Sequence, residues 1–480
     1  MKSFNLTEWA LNHKQFVYYF IFITFIGGCF SYQNLGRMED PDFTIRMMIV
    51  GVTWPGASAR EVEEQVTDKI EKKLQEIPHL DYLKSYSTPG QSVIYVALKE
   101  DEVHASQIHP IWLEVRNMVN DIKGTLPQGV VGPFFNDRFD DVFGCVYALT
   151  GDGFTYEDIR ENAEKIRRSL LSISNIKKVE LIGVQPEKIT IEVENSKLAL
   201  LGIDPALIAR SVEAQNAMSP SGEMETSSDK VYLRTTGMFE KLEDLQSLPI
   251  RAGGRTFRLG DIAGIKRGYA DPPEPKMFYN GRPAIGLAVS MEKGGNILTL
   301  GENIEQILKR VKKDLPLGLE LSTVSNQPQV VKAAINEFIK VLAEAVAIVL
   351  IVCFLSLGLR SGIVVAFCIP LVICGVFIAM KMLGIDLHKI SLGALIIALG
   401  LLVDDAIIAV EMMSVKLEEG WDRFDAASFA YKATAFPLLT GTLITCAGFI
   451  PVAFAKGSAS EFLNSLFSVV TIALLISWVV

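Results

Sequence analysis

A long apolar run near the C-terminus limits what this chain can fold into. Residues 390–413 are apolar over enough length to cross a bilayer as a helix of about 20 residues, yet the run contains the adjacent carboxylates Asp404 and Asp405. Each carboxylate near the centre of such a helix costs roughly 2.5–3.5 kcal/mol on insertion scales. A pair of them at that depth therefore predicts a functional site inside a membrane.

Further apolar stretches predict a polytopic α-helical membrane protein. Residues 1–15 have the pattern of an amphipathic helix on the membrane surface, leading into the first span. Lys and Arg are concentrated in the short links on the side of the N-terminus, which places that side in the cytoplasm. We therefore expect a multi-pass protein with residues 33–335 on the far side of the membrane, which is the periplasm if the protein lies in the cell inner membrane of a diderm bacterium. The other stretches that we expect to span the bilayer are 16–32, 341–357, 363–383, 436–455 and 462–480.

Strand-like and helix-like segments alternate through the soluble block 33–335. Ser58 followed by Glu61 has the pattern of a capping box at the start of a helix. The order of strands and helices around it is that of a ferredoxin-like α+β unit, and it recurs along the block. The predicted domains are 1–32 (amphipathic N-terminus and first span), 33–134 (first subdomain), 135–182 with 270–335 (split second subdomain), 183–269 (inserted third subdomain) and 336–480 (spans two to six).

The helix that carries the aspartates has two faces of small and acidic residues, about 100° apart. Because small residues let neighbouring helices approach closely, we expect them to seal the carboxylates in a protected interior. Two abutting carboxyl groups there should titrate as a coupled pair, which could take up a proton on one side and release it on the other. The two faces are Gly393, Gly400, Asp404 and Glu411, and Ala394, Ala398, Asp405 and Ala409.

Alternatives remain for these carboxylates. A fixed ion pair with a Lys or Arg of another helix is possible, although none of the six apolar stretches carries such a residue near its centre. Glu344, in the second predicted span, either lines a hydrated edge or extends toward the membrane surface. Glu411 lies near the cytoplasmic end, where solvation of the helix end explains it.

Composition excludes several other classes of function. The net charge of −9 provides no basic surface for nucleic acid. The five histidines are not spaced as metal ligands, and no nucleophile–base set or phosphate-binding glycine loop occurs. We therefore expect a protein that is not an enzyme and that has no cofactor and no metal.

Three motifs resemble the resistance-nodulation-division (RND) superfamily, specifically its hydrophobe/amphiphile multidrug-efflux branch. They extend over nearly the whole chain, which resembles the N-terminal half of a family member and is expected to stop inside the sixth span. The motifs are Gly400-Leu401-Leu402-Val403-Asp404-Asp405-Ala406 with Glu411, Val52-Thr53-Trp54-Pro55-Gly56-Ala57, and Gly441-Thr442-Leu443 through Phe449-Ile450-Pro451-Val452-Ala453-Phe454.

The resemblance implies a fold and a function. It implies periplasmic porter and docking subdomains, twelve spans in the complete subunit and a homotrimer. It also implies a periplasmic adaptor protein and an outer-membrane channel as partners. Asp404 and Asp405 match the family's proton-relay aspartates, and Glu344 and Glu411 match its membrane glutamates. The expected activity is proton-driven efflux of amphiphilic small molecules or drugs from the inner membrane.

The chain departs from the family's drug pumps where these place phenylalanines in the binding pocket. Val142 and Ile182 stand at those positions, which leaves the substrate open. The pair Asp404–Asp405 argues against the metal-exporting branch, which has one acidic residue there. Two alternatives remain: a membrane-anchored assembly or export-helper subunit that binds a periplasmic partner, and a lipid exporter of the same superfamily.

Overall fold

A computed structural model describes residues 5–139, 141–216, 220–226, 229–234 and 238–480. These residues form a bundle of long helices and a block of α+β structure. Two hydrophobic cores lie within the block, and a third is shared between the block and the bundle. The predicted combination of a helical membrane protein with an α+β block is therefore present.

The N-terminus forms two successive helices, α1 (Leu6–Asn12) and α2 (Lys14–Asn34). The side chain of Asn5 caps α1 by accepting hydrogen bonds from the amides of Thr7 and Glu8. Glu8 also accepts hydrogen bonds from Ser428 and Lys432, which hold its pKa at about 2. This polar cluster fastens α1 to a later helix of the bundle.

The first α+β unit contains an antiparallel sheet with the strand order β2-β3-β1-β4. The predicted capping box is confirmed: Ser58 and Glu61 exchange hydrogen bonds at the start of α3. A π-helical turn, Glu63–Thr67, then joins α3 to α4. The elements are β1 (Met47–Thr53), α3 (Ala59–Val62), α4 (Asp68–Leu74), β2 (Leu80–Thr88), β3 (Gln91–Leu98), α5 (Ala105–Asp121) and β4 (Val131–Asn136).

A second unit begins after this sheet and is interrupted by an insertion. Its first elements are β5 (Phe143–Gly151), α6 (Tyr156–Leu170) and β6 (Ile176–Ile182). The insertion has a separate core and includes a hairpin, part of which lies outside the described residues. Its elements are β7 (Glu187–Val193), α7 (Asn195–Leu201), α8 (Pro205–Gln215), β8 (Pro220–Glu225), β9 (Lys230–Arg234), α9 (Leu242–Gln246), β10 (Pro249–Ala252), β11 (Arg255–Arg258), α10 (Leu259–Ile262) and β12 (Ala263–Tyr269).

The second unit is completed after the insertion. Strand β14 pairs with β5 and with β6, so segments from both sides of the insertion form one sheet. Strand β15 pairs with the other edge of β5. The later elements are β13 (Met277–Tyr279), β14 (Arg282–Met291), α11 (Ile297–Asp314) and β15 (Leu319–Asn326).

The bundle consists of α2 and five further long helices. By length and composition, five of the described helices could cross a membrane: 14–34, 362–383, 389–418, 423–454 and 458–479. The predicted span 341–357 lies in α12, which starts directly after β15 and crosses the predicted boundary at residue 336 without a break. The helices are α12 (Gln327–Leu357), α13 (Leu359–Leu383), α14 (Lys389–Glu418), α15 (Arg423–Phe454) and α16 (Ser458–Val479).

Candidate functional site

Helix α14 runs without interruption through Asp404 and Asp405, and its two predicted faces have different surroundings. Ala394 and Ala398 are fully buried on the face that also carries Asp405, which is half-buried. Asp404 lies about 100° away and is exposed. The two carboxylates are therefore adjacent along the chain but point into different environments.

Asp405 faces a hydroxyl group of the neighbouring helix α15. Thr442 Oγ1 lies 3.5 Å from Asp405 Oδ2, at the long limit for a hydrogen bond, and it is 2.8 Å from the carbonyl oxygen of Leu438. The same hydroxyl can therefore donate to its own helix or to the carboxylate. Proton uptake or release at Asp405 would change which of these two bonds is preferred.

A cavity of about 340 Å³ extends from Asp405 into the bundle. Its wall is mainly apolar, and Tyr431 and Thr434 of α15 are polar exceptions. Helix α1 contributes Leu6 and Ala10 to the wall, so the docked N-terminal helix helps to enclose the space. Asp405 therefore borders a mainly apolar cavity that is large enough for water or a small ligand.

The other face of α14 is open in the described chain. Among the described residues, apart from the adjacent residues and backbone of the helix itself, no heavy atom lies within 4 Å of the position that a Cβ would take at Gly393 or Gly400. The same holds for Gly441 and Gly448 of α15. The expected seal therefore covers Asp405 in part and leaves Asp404 exposed.

The two predicted glutamates do not join the aspartate pair. Glu344 is exposed on α12, with its carboxylate 3.7 Å from the Lys340 ammonium one helical turn away. Glu411 is exposed on the same side of α14 as Asp404. The structure therefore places Thr442 beside Asp405, whereas Asp404 and both glutamates are exposed on other faces of their helices.

Sequence patterns alone did not identify the partner of Asp405. Thr442 lies 37 positions away in the chain, and a threonine in an apolar run most often bonds to its own helix. The only signal was its position in the motif Gly441-Thr442-Leu443. The described residues contain no group of three or more His, Cys, Asp or Glu side chains that could hold a metal ion.

Comparison with known proteins identifies relatives along nearly the whole chain. Residues 6–480 match the model of the AcrB/AcrD/AcrF family. The chain is 26% identical over 471 residues to the toluene efflux pump membrane transporter TtgB of Pseudomonas putida, and equally similar to the antibiotic efflux pump membrane transporter ArpB of the same species. It is 24% identical over 443 residues to an uncharacterized transporter of Haemophilus influenzae.

These alignments cover most of this chain but less of each relative. They include 94% of the chain and 44% of TtgB or ArpB, and 90% of the chain and 42% of the Haemophilus protein. The chain thus spans less than half the length of the curated relatives it matches. The match over residues 6–480 shows that this chain belongs to the AcrB/AcrD/AcrF family of RND permeases.

Proposed function

We propose that the chain is part of a proton-driven efflux transporter, a secondary active transporter in which Asp404 and Asp405 couple proton movement to export. The half-buried carboxylate of Asp405, set among apolar helices and facing Thr442, is the observation that carries this proposal. A proton that crosses the membrane through such a pair releases about 2.3 kcal/mol per 100 mV of membrane potential. The carboxylates would hold this proton in transit.

The open face of α14 supports a second contribution to the site. Asp404 and the glycines on its face are accessible in this chain, whereas an isolated carboxylate within a bilayer needs a partner. The curated relatives are more than twice as long as the aligned region. We propose that the remainder of a twelve-span subunit covers this face and supplies a Lys or Arg to the pair. Glu344 and Glu411 would then act only as supporting carboxylates at hydrated edges.

The α+β block is proposed to form the porter and docking parts. The strand order β2-β3-β1-β4 agrees with a ferredoxin-like first porter subdomain, 33–134, and the sheet built from 135–182 and 270–335 with a split second one. The insertion 183–269 would be the docking subdomain. In this proposal the block lies in the periplasm, and the complete subunits form a homotrimer that binds an adaptor protein and an outer-membrane channel.

The proposed substrates are amphiphilic small molecules. Val142, just before the inner strand β5, and Ile182, at the end of the edge strand β6, are exposed aliphatic side chains of the second unit. An aliphatic surface binds apolar parts of a ligand without the stacking that aromatic rings provide. The names of TtgB and ArpB refer to toluene and antibiotics, which agrees with apolar cargo for this protein as well.

Neutral substitutions of the aspartates test the proposed function in the complete protein. Asp404→Asn and Asp405→Asn should each lower substrate efflux by at least about 100-fold, because a residue that holds the proton in transit has no substitute. Efflux of a fluorescent amphiphile from cells, with membrane insertion checked by protease protection, measures this. Asp425→Asn, an exposed residue in the first turn of α15, is the matched control and should change neither property.

Retention of efflux by both variants would contradict proton coupling at this pair. If Asp404→Asn were tolerated and a soluble partner bound the α+β block, the assembly-subunit alternative would be favoured. Reconstituted protein separates the lipid-export alternative, because labelled phospholipid would then be transported in place of the amphiphile.

A further inference from the structure

A buried arginine joins the first sheet to the start of α16. Arg46 immediately precedes β1, and its side chain is only 3% exposed. Its Nε donates to the carbonyl oxygen of Val103 at 3.0 Å, within the first unit. Its Nη1 donates to the carbonyl oxygen of Thr44 and to Ser458 Oγ, each at 3.1 Å. Nη2 forms an ion pair with Glu461, in the first turn of α16.

Three more contacts complete this junction. Glu461 Oε2 accepts a hydrogen bond from the Thr44 amide at 2.9 Å, so one carboxylate receives donors from two residues of the same segment. Glu100, just after β3, accepts a hydrogen bond from the amide of Ser458, the first residue of α16. It thereby satisfies a donor that a helix N-terminus leaves unpaired. The rings of Phe43 and Phe462 pack edge to face, with centroids 6.1 Å apart.

The other end of α16 lies against the helix of the aspartates. Ser477 Oγ donates a hydrogen bond to the carbonyl oxygen of Leu402, two residues before Asp404. Between the two ends, the buried residues Val469, Val470 and Ala473 belong to the same core as Ala398 and Leu402 of α14. One uninterrupted helix, α16, therefore connects the neighbourhood of the carboxylates with the first sheet.

A contact that only held α16 against the first sheet would not need a buried ion pair. Burying an arginine and a carboxylate removes both from water, and apolar residues of similar volume often stabilise a fold as well or better. What a set of directional hydrogen bonds adds is a fixed geometry between two elements. The hydrogen bonds of Arg46 and Glu461 therefore fix the position of the start of α16 relative to the first sheet.

We propose that Arg46 and Glu461 form a clamp through which a change of state at α14 is transmitted by α16 to the first sheet. Both are positioning residues: they do not carry protons and do not touch the substrate. The inference rests on the proposed function, because it names the connection by which the aspartate pair would act on the porter.

Hydrogen exchange of the complete protein in lipid nanodiscs tests the clamp independently of transport. The double variant Asp404→Asn/Asp405→Asn mimics the protonated pair and should change amide exchange in β1 and β3 by about fivefold or more, a usual size for coupling between two sites. In the background Arg46→Met/Glu461→Leu, which replaces the ion pair by apolar residues, this change should disappear. A matched control is Arg116→Met/Asp137→Leu, which removes a 2.7 Å ion pair inside the first unit and should leave the change intact.

Persistence of the exchange change without the clamp would overturn the inference, and so would its absence when the clamp is intact. If the apolar double variant does not fold, Arg46→Lys replaces it. The ammonium keeps the charge but cannot reproduce the planar set of donors, so this variant should weaken the exchange change, and thermal unfolding checks that it remains folded. Efflux by the aspartate variants is measured separately. Transport that is insensitive to Asp404 and Asp405 would refute the proposed function, whereas the exchange data alone decide on the clamp.

Discussion

His388 caps the helix that carries Asp404 and Asp405, and it does so as a neutral side chain. Its amide donates to Ser391 Oγ at 2.9 Å, and its Nδ1 lies 3.3 Å from the Ser391 amide, which donates to it. The residue is 4% exposed, and this burial lowers the pKa of His388 to about 4. Protonation would remove the acceptor that the cap requires.

The cap predicts a loss of stability in mildly acidic solution. The folded-state pKa of His388 lies below its unfolded value of 6.5, so the unfolded chain binds the proton first as the pH falls. The stabilisation is fully present above pH 6.5 and is lost as the pH falls toward 4, by up to about 3 kcal/mol. Thermal unfolding of the protein in detergent between pH 7.5 and 4.5 measures this. Substitution His388→Asn should flatten the pH dependence, because an Asn oxygen caps a helix without titrating.

The contribution of His388 to the pH dependence of stability must be measured as a difference between two proteins, because a neighbouring group also titrates. Burial raises the pKa of Asp386, which opposes the effect of His388 over part of the same range. Comparison of the wild type with His388→Asn cancels that contribution. His109, exposed on α5, provides the control substitution His109→Asn, which should leave the curve unchanged. Parallel curves for the wild type and His388→Asn would refute the assignment.

For single residues, the sequence indicates candidate positions whose environment is set by nearby residues, but it does not reveal contacts between residues that are far apart in the chain. Asp404 and Asp405 stand out in the sequence because a charge in an apolar run is costly wherever the helix packs, and their role in proton coupling stays a prediction. The two faces of α14 followed from helical spacing. Arg46 gave no such signal, because an arginine before a strand is ordinary and its partner Glu461 lies 415 positions away.

At the scale of elements, α2 and α13 approach each other more closely than ordinary side chains allow. A Cβ added to Gly28 would lie 2.4 Å from Cys374 Cβ and 2.6 Å from Cys374 Cα. A Cβ added to the adjacent Gly27 would meet only the Ile378 side chain, at 3.1 Å. Backbone atoms cannot rotate away, whereas the end of an isoleucine side chain can.

This difference predicts opposite outcomes for two neighbouring substitutions. Gly28→Ala should force α2 and α13 apart and lower the free energy of unfolding by about 1–3 kcal/mol, as overpacking does elsewhere. Gly27→Ala should be neutral or slightly stabilising, since alanine favours the helix by about 1 kcal/mol over glycine. Thermal unfolding in the same detergent compares the two. Equal effects of both substitutions would show that the close approach at Gly28 does not limit the packing.

The existence of the long helices was predictable, but the extent of α12 was not. Apolar length identifies a span because only a hydrogen-bonded backbone is stable in hydrocarbon. The start of α12 at Gln327 depends instead on tertiary contacts: Val331, Ile335 and Phe338 are buried in the core that the second unit shares with the bundle. Hydropathy cannot detect that continuation, because the first half of α12 is amphipathic rather than apolar.

At the scale of the whole molecule, the α+β block lies on one side of the bundle. The chain leaves the bundle at the end of α2 and returns at the start of α12, and Leu35 packs in the same core as Val331 and Leu387. The turn between α14 and α15, around Trp421, lies one helix length away from Leu387. A membrane around the bundle would therefore separate the block from this turn, and the distribution of Lys and Arg predicts which side is which.

Cysteine labelling tests this orientation in cells whose outer membrane has been permeabilised. Leu317, in the turn before β15, is fully exposed, so Leu317→Cys should react with a membrane-impermeant maleimide from outside. Trp421→Cys should react only after the inner membrane is also broken, because the proposed periplasmic block and the α14–α15 turn lie on opposite sides. Cys145, buried in β5, gives the background labelling of the soluble block. The reverse labelling pattern would show that the protein has the opposite orientation. Protons would then reach the aspartate pair from the side opposite to the one that the positive charges predict.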